Sequence, residues 1–127
     1  MLTLLIIRED AYLNKFILQL EGLAVFVLSV YFYFHLQFSW GIFLVLLLAP
    51  DISAIGYIKN VKVGSILYNL FHTYSIPLIL MICGFLIHND SIIMICLIWI
   101  AHIGMDRMFG LGLKYPTKFQ DTHLNRV

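Results

Sequence analysis

The sequence predicts an all-α polytopic membrane protein: four antiparallel transmembrane helices followed by a short polar C-terminal tail. Three observations carry that reading. First, 61% of the 127 residues are hydrophobic, only 12% are charged, and the mean hydropathy is +0.93. Soluble domains run to about 45–50% apolar and about 25% charged. A soluble chain this short exposes too much of itself to hide so many apolar side chains, whereas lipid accepts them as solvent. Second, four apolar stretches each approach the ~20 residues that a ~30 Å hydrocarbon core requires. Third, all eight Lys and Arg residues fall on one side of the threading those stretches define.

The first stretch runs from about Phe16 to Phe38, the second from Trp40 to Ile58, the third from Val63 to Ile87 and the fourth from Ser91 to Gly110. Short breaks separate them: Gln37–Trp40, Lys59–Lys62 and His88–Ser91. The last offers good N-cap residues. Connections this short make neighbouring helices antiparallel hairpins. Residues 1–15 then form an N-terminal cytoplasmic or interfacial segment, 16–112 the transmembrane domain and 113–127 a cytoplasmic tail. The opening MLTLLII is too short to span a bilayer. It has no basic residue before it and no small-residue cleavage site after it, so it reads as part of the mature chain. Tyr115-Pro116 ends the fourth helix, because the residue before proline is pushed out of helical geometry.

Arg8 and Lys15 precede the first span, Lys59 and Lys62 join the second to the third, and Arg107, Lys114, Lys118 and Arg126 close or follow the fourth. The two opposite loops carry no Lys or Arg. The positive-inside rule therefore puts both termini in the cytoplasm of a multi-pass cell-membrane protein, expected in a bacterial inner membrane. The formal net charge of +1 gives no bulk attraction for nucleic acid. Cys83 and Cys96 fall inside apolar runs and read as helical hydrophobes.

Ionisable side chains inside a bilayer cost about 2.5–3.5 kcal/mol each on insertion scales. Here the spans contain Glu21, Asp51, His72, His102 and Asp106, accompanied by Tyr57, Tyr68 and Asn69. At about 1.5 Å per residue from the cytoplasmic helix ends, Glu21 and Asp106 lie roughly 6–8 Å deep, Asp51 roughly 10 Å, and His72 and His102 roughly 12–15 Å. Helices running alternately up and down thus bring all five to the cytoplasmic half, as one polar pocket open to the cytoplasm would. His102 and Asp106 share a helix face at i, i+4, as do Tyr68 and His72. Pro50 leaves the carbonyl of Leu46 without its helical partner and predicts a kink beside Asp51. Pro77 predicts a second bend just past His72.

Asp51, His72, His102 and Asp106 together suit a divalent metal such as zinc, manganese or iron, and metal-bound water would make the site hydrolytic. Two other readings stand beside this one. The same groups can act as hydrogen-bonded glue between helices. They can also relay protons, which in a four-helix chain calls for a homo-oligomer. His35 and His88, at the outer helix ends, read as interfacial. Gly104, with Ala101, reads as a close-packing position.

Several strings carry a family resemblance: Leu20-Glu21-Gly22-Leu23-Ala24, Leu48-Ala49-Pro50-Asp51-Ile52-Ser53, Gly56-Tyr57, Tyr68-Asn69-Leu70-Phe71-His72-Thr73-Tyr74, Trp99 through Arg107, Gly110 through Pro116, Phe119 and Thr122-His123-Leu124. From about Leu20 to Val127 the chain resembles a small bacterial integral membrane family catalogued as domain of unknown function 4260. The resemblance implies membrane residence and four helices, and implies no activity. It also draws attention to His123, which is expected to cap the pocket near Asp106 if the tail folds back.

Overall fold

A computed structural model describes residues 1–127. It contains helices and no strands. The helices are α1 (Leu2–His35), α2 (Trp40–Leu46), a 3-10 helix (Ala49–Ile58), α3 (Val61–Phe71), α4 (Ser75–Leu86), α5 (Asp90–Met108) and α6 (His123–Arg126). Four continuous segments are long and apolar enough to cross a membrane: Leu2–His35, Trp40–Ile58, Val61–Leu86 and Asp90–Met108.

The first helix starts at Leu2, well before the expected Phe16. The Leu- and Ile-rich opening has high helix propensity and nothing in it breaks the turn. At about 1.5 Å per residue, 34 residues span about 51 Å, longer than a bilayer core. No helix break marks position 15; Arg8, Glu9, Asp10 and Lys15 ride on the same rod.

The connections follow from cap chemistry. Ser39 accepts from the Ile42 amide (3.4 Å), Asn60 from Val63 (2.8 Å) and Asn89 from Ile92 (3.1 Å), each starting a helix. The preceding helices close on Gln37 (φ 58°) and His88 (φ 53°) in the left-handed region.

The second and third spans depart from the expected regular helices. The second is α-helical only to Leu46 and then tightens into the ten-residue 3-10 helix, a long run for that geometry. The third breaks at His72–Tyr74, and α4 starts again at Ser75. Pro77 therefore sits in the first turn of α4, where a missing N–H costs nothing, rather than bending a continuous helix.

Helix α5 is the centre of the bundle. Its buried residues include Ile93, Cys96, Leu97, Ile98, Ala101, His102, Ile103 and Asp106. Toward the outer end, Ile93, Leu97, Ile98 and Ala101 pack with Tyr33 and Phe43. The Tyr33 hydroxyl donates to the Ser39 carbonyl, which leaves its ring free for that core. Farther along, α1 and α5 cross backbone to backbone. A Cβ at Gly104 would meet Phe26 N at 2.8 Å and Gly22 O at 2.9 Å, and one at Gly22 would meet Arg107 Cβ at 2.5 Å. Small residues at such crossings are what membrane packing uses in place of a hydrophobic drive.

The polar tail folds back on the bundle. Gly110 (φ +82°) closes α5 in a Schellman motif, with Leu111 N on Asp106 O (2.8 Å) and Gly110 N on Arg107 O (3.0 Å). Lys114 then bridges Thr122 in antiparallel fashion, and Asn69 grips the Lys114 backbone in both directions (2.6 and 2.8 Å).

Gly104→Leu should lower the unfolding midpoint of the detergent-purified protein. Overpacking costs about 1–3 kcal/mol, and the atoms in the way here are backbone. Gly41→Leu, whose Cβ meets only Ser39 Oγ at 3.7 Å, should leave the midpoint nearly unchanged. Equal midpoints for the two variants would refute the Gly22–Gly104 crossing.

Candidate metal centre

Both breaks free a backbone carbonyl, and a histidine ring takes up each one. In the second span, the Asp51 amide bonds to Leu48 O (3.1 Å) at i→i+3 spacing instead of reaching Leu47. Leu47 O then accepts from His102 Nδ1 at 2.6 Å. The carbonyl expected to lose its helical partner is that of Leu46; the one the His102 ring takes up beside the tightened 3-10 turn is the next, Leu47. In the third span, the His72 amide bonds to Asn69 O (3.2 Å). Tyr68 O is released and accepts from His72 Nδ1 at 2.8 Å. A carbonyl only accepts, so each Nδ1 carries the proton. A ring that is neutral then presents a bare Nε2 lone pair.

Those two Nε2 atoms face one another at 3.1 Å. Asp51 Oδ1 lies 3.3 Å from His72 Nε2 and 3.2 Å from His102 Nε2. Asp106 Oδ2 lies 3.3 and 3.2 Å from the same atoms. All four donor atoms fall within 4.8 Å of one another. His72 and His102 are almost fully buried and Asp106 is nine-tenths buried, whereas half of the Asp51 side chain is exposed. Asp106 Oδ2 is a buried oxygen without a hydrogen-bond partner. Four electron-rich atoms at these distances repel one another unless something positive lies between them. Zinc with ligands at about 2.0–2.1 Å in a tetrahedron sets donor–donor edges of about 3.3–3.4 Å; the five edges that involve a histidine, at 3.1–3.3 Å, are close to this, and the carboxylate–carboxylate edge is opened wider, within 4.8 Å. Imidazoles whose second nitrogen donates to a backbone carbonyl are the usual oriented ligands of metal sites.

Neighbouring residues brace the cluster. Tyr68 stacks on His72 (3.7 Å between centroids). Arg107 Nη2 donates to His72 O at 3.0 Å, tying the broken span to α5. Lys114, almost buried, lies over Tyr68 (4.9 Å) and Phe119 (3.8 Å). Burial lowers the pKa of its ammonium, against the pull of the Asp106 and Asp51 carboxylates.

The remaining sequence candidates sit apart from the four. Asn69 anchors the tail. Tyr57 packs its ring on Phe119 (5.2 Å), and its hydroxyl is buried without a partner. Glu21 and His123 line a separate cleft with Tyr74 and Arg107. The tail does fold back, as the capping idea required. Its histidine, however, accepts from the Leu113 amide through Nδ1 (2.8 Å) and does not join the Asp106 cluster. Gly112 permits this, since a Cβ there would meet His123 Nδ1 at 2.6 Å. Sequence reasoning overlooked Arg107 and Lys114 as parts of the site. Both read in the sequence only as topology signals, although Arg107 directly follows Asp106.

The family model of the domain of unknown function DUF4260 matches residues 15–127. The chain belongs to that family, and the match begins somewhat before the expected Leu20. No curated protein and no solved structure was found to match it.

The tail clasp should loosen in acid. Burial, and then the nearby Arg107 charge, hold the His123 pKa below its ordinary value. A depressed pKa stabilises the fold above the unfolded value, about 6.5, and that contribution disappears as pH falls through the folded one. Amide hydrogen exchange should show Leu113 protected at pH 8 and losing protection toward pH 5, once Nδ1 is protonated and no longer accepts. Unchanged protection across that range would contradict the clasp.

Proposed function

We propose that this DUF4260 member is an integral membrane metalloprotein whose Asp51, His72, His102 and Asp106 bind one divalent cation, zinc by preference, at a hydrolytic centre. The observation that carries the reading is the pair of facing Nε2 lone pairs, both fixed by carbonyl-bound Nδ1 protons, between two carboxylates. Such an arrangement is unfavourable without a cation and favourable with one.

The asymmetry of burial supports hydrolysis over a purely structural ion. His72, His102 and Asp106 are enclosed, while Asp51 faces outward. Three firm ligands and one open side are the pattern of catalytic zinc, and bound water there ionises near pH 7. Asp51, on that open side, is the ligand that would yield its place to water and take up that water's proton. The substrate is an ester or phosphoester presented from the Asp51 side. Protons on the Nε2 atoms would satisfy the same acceptors and turn the cluster into a helix clamp or proton relay. Metal analysis separates the two cases.

The protein purified in mild detergent without chelator should carry about one zinc, manganese or iron per chain by elemental analysis, and His72→Ala and His102→Ala should lose it. Metal-free wild type with unchanged thermal stability after chelator treatment would exclude the metal reading.

The orientation we propose has both termini and the 59–62 junction in the cytoplasm, supported by the distribution of all eight Lys and Arg residues. Alkaline phosphatase fused after Val127 should be inactive in a bacterial inner membrane, and a fluorescent protein there should fold. The reverse result would invert the topology.

A further inference from the structure

An apolar groove of about 280 Å³ opens between the second span and α5, next to the four-residue cluster. Its walls include Leu46, Ala49, Pro50, Phe71, Ile98 and Trp99. We propose that this groove holds the acyl chain of a single-chain bilayer lipid, a fatty acid, in preference to the chains of bulk phospholipid, with its carboxyl group beside Asp51. The inference rests on the metal-centre reading for its head-group end, and on the groove alone for the chain.

Continuity with the cluster is the first support. Pro50 and Phe71 are the immediate chain neighbours of Asp51 and His72, and Ile98 lies one turn before His102 on the same face of α5. The groove is thus walled by residues next to the cluster on all three elements, and Asp51 beside it is half open. A chain lying in it brings its polar end to that side.

Direction is the second support. Helix α5 runs toward the basic end of the bundle, and Ile98 and Trp99 come before His102. The groove therefore extends from the cluster toward the middle of the bilayer. Lipids anchored at the basic face run their chains the same way.

The character of the wall is the third. Trp99 supplies the indole N–H in this wall, and that group is spent on Phe71 O at 2.6 Å. The two rings stack at 5.6 Å and leave a flat apolar face. The volume lies at the small end of the ~300–1,000 Å³ range of ligand pockets and suits one flexible chain. The recess arises where the second span tightens at Ala49-Pro50; there the small Ala49 side chain leaves room.

Trp99 is one of two tryptophans, so Trp40→Phe makes it a single reporter. In unbrominated phosphatidylcholine vesicles, dibromostearic acid added at low mole fraction should quench Trp99 saturably. Unbrominated stearic acid should relieve the quenching, and Ala49→Phe should abolish the saturable part. Quenching that rises linearly with mole fraction and resists stearic acid means contact with bulk lipid alone and overturns the proposal. Because relief by stearic acid is read in the unfilled groove, the test stands even if Ala49→Phe fails to fold. Metal content measured on the same vesicles keeps the two readings distinct. Saturable quenching of metal-free protein supports the groove while the metal reading falls; linear quenching of metal-loaded protein does the reverse.

Discussion

The rule that a bilayer leaves no backbone polar group unsatisfied governs this molecule. Two of its four spans are broken, and each break strands a carbonyl at membrane depth. Left bare, each would cost about 1–3 kcal/mol. Leu47 O is taken by His102 and Tyr68 O by His72. The imidazoles therefore repair the fold, and the repair itself turns both Nε2 atoms toward the same point. Fold and site share one set of hydrogen bonds, which is why neither can be described without the other.

Around that point the bundle is organised by α5. It supplies His102 and Asp106 on one face, crosses α1 at Gly104, and sends Arg107 to the His72 carbonyl. The tail completes the enclosure from the other direction. Asn69, one turn before His72, holds the Lys114 backbone, and Lys114 roofs the Tyr68 ring that lies on His72. At the far end of the tail, Arg126 holds the Asp121 carboxyl at a pKa of about 2, so that this clasp persists at every physiological pH. Within the tail, the element that responds to pH is His123.

Much of this was legible in the residues. Hydropathy and loop length gave four spans because lipid leaves few alternatives. The cost of intramembrane charge pointed to five residues; four of them, Asp51, His72, His102 and Asp106, come together, and Glu21 lines a separate cleft. The helix breaks were less legible. Pro50 announced a disturbance, but not that the chain would tighten into 3-10 turns and offer the carbonyl of Leu47 instead of Leu46. The break at His72 carries no proline before it; it depends on Trp99 and Arg107 of α5 gripping the Phe71 and His72 carbonyls from elsewhere in the chain. Such tertiary partners leave no periodic trace. His123 stood out through the family resemblance, yet its partner is a backbone amide ten residues away, and no spacing rule points to it.

The stranded carbonyl of Leu47 has a consequence for biosynthesis. Its donor lies on the last span to leave the ribosome. Until that helix enters the bilayer, the second span carries an open acceptor in a medium that offers no water. A nascent chain of three spans is therefore an unfinished solute, kept near the insertion machinery or a water-lined opening until its fourth helix arrives. Insertion of α5 and assembly of the cluster are then a single event, since the oxygen left open in the second span is the one the finished protein uses to aim its histidine.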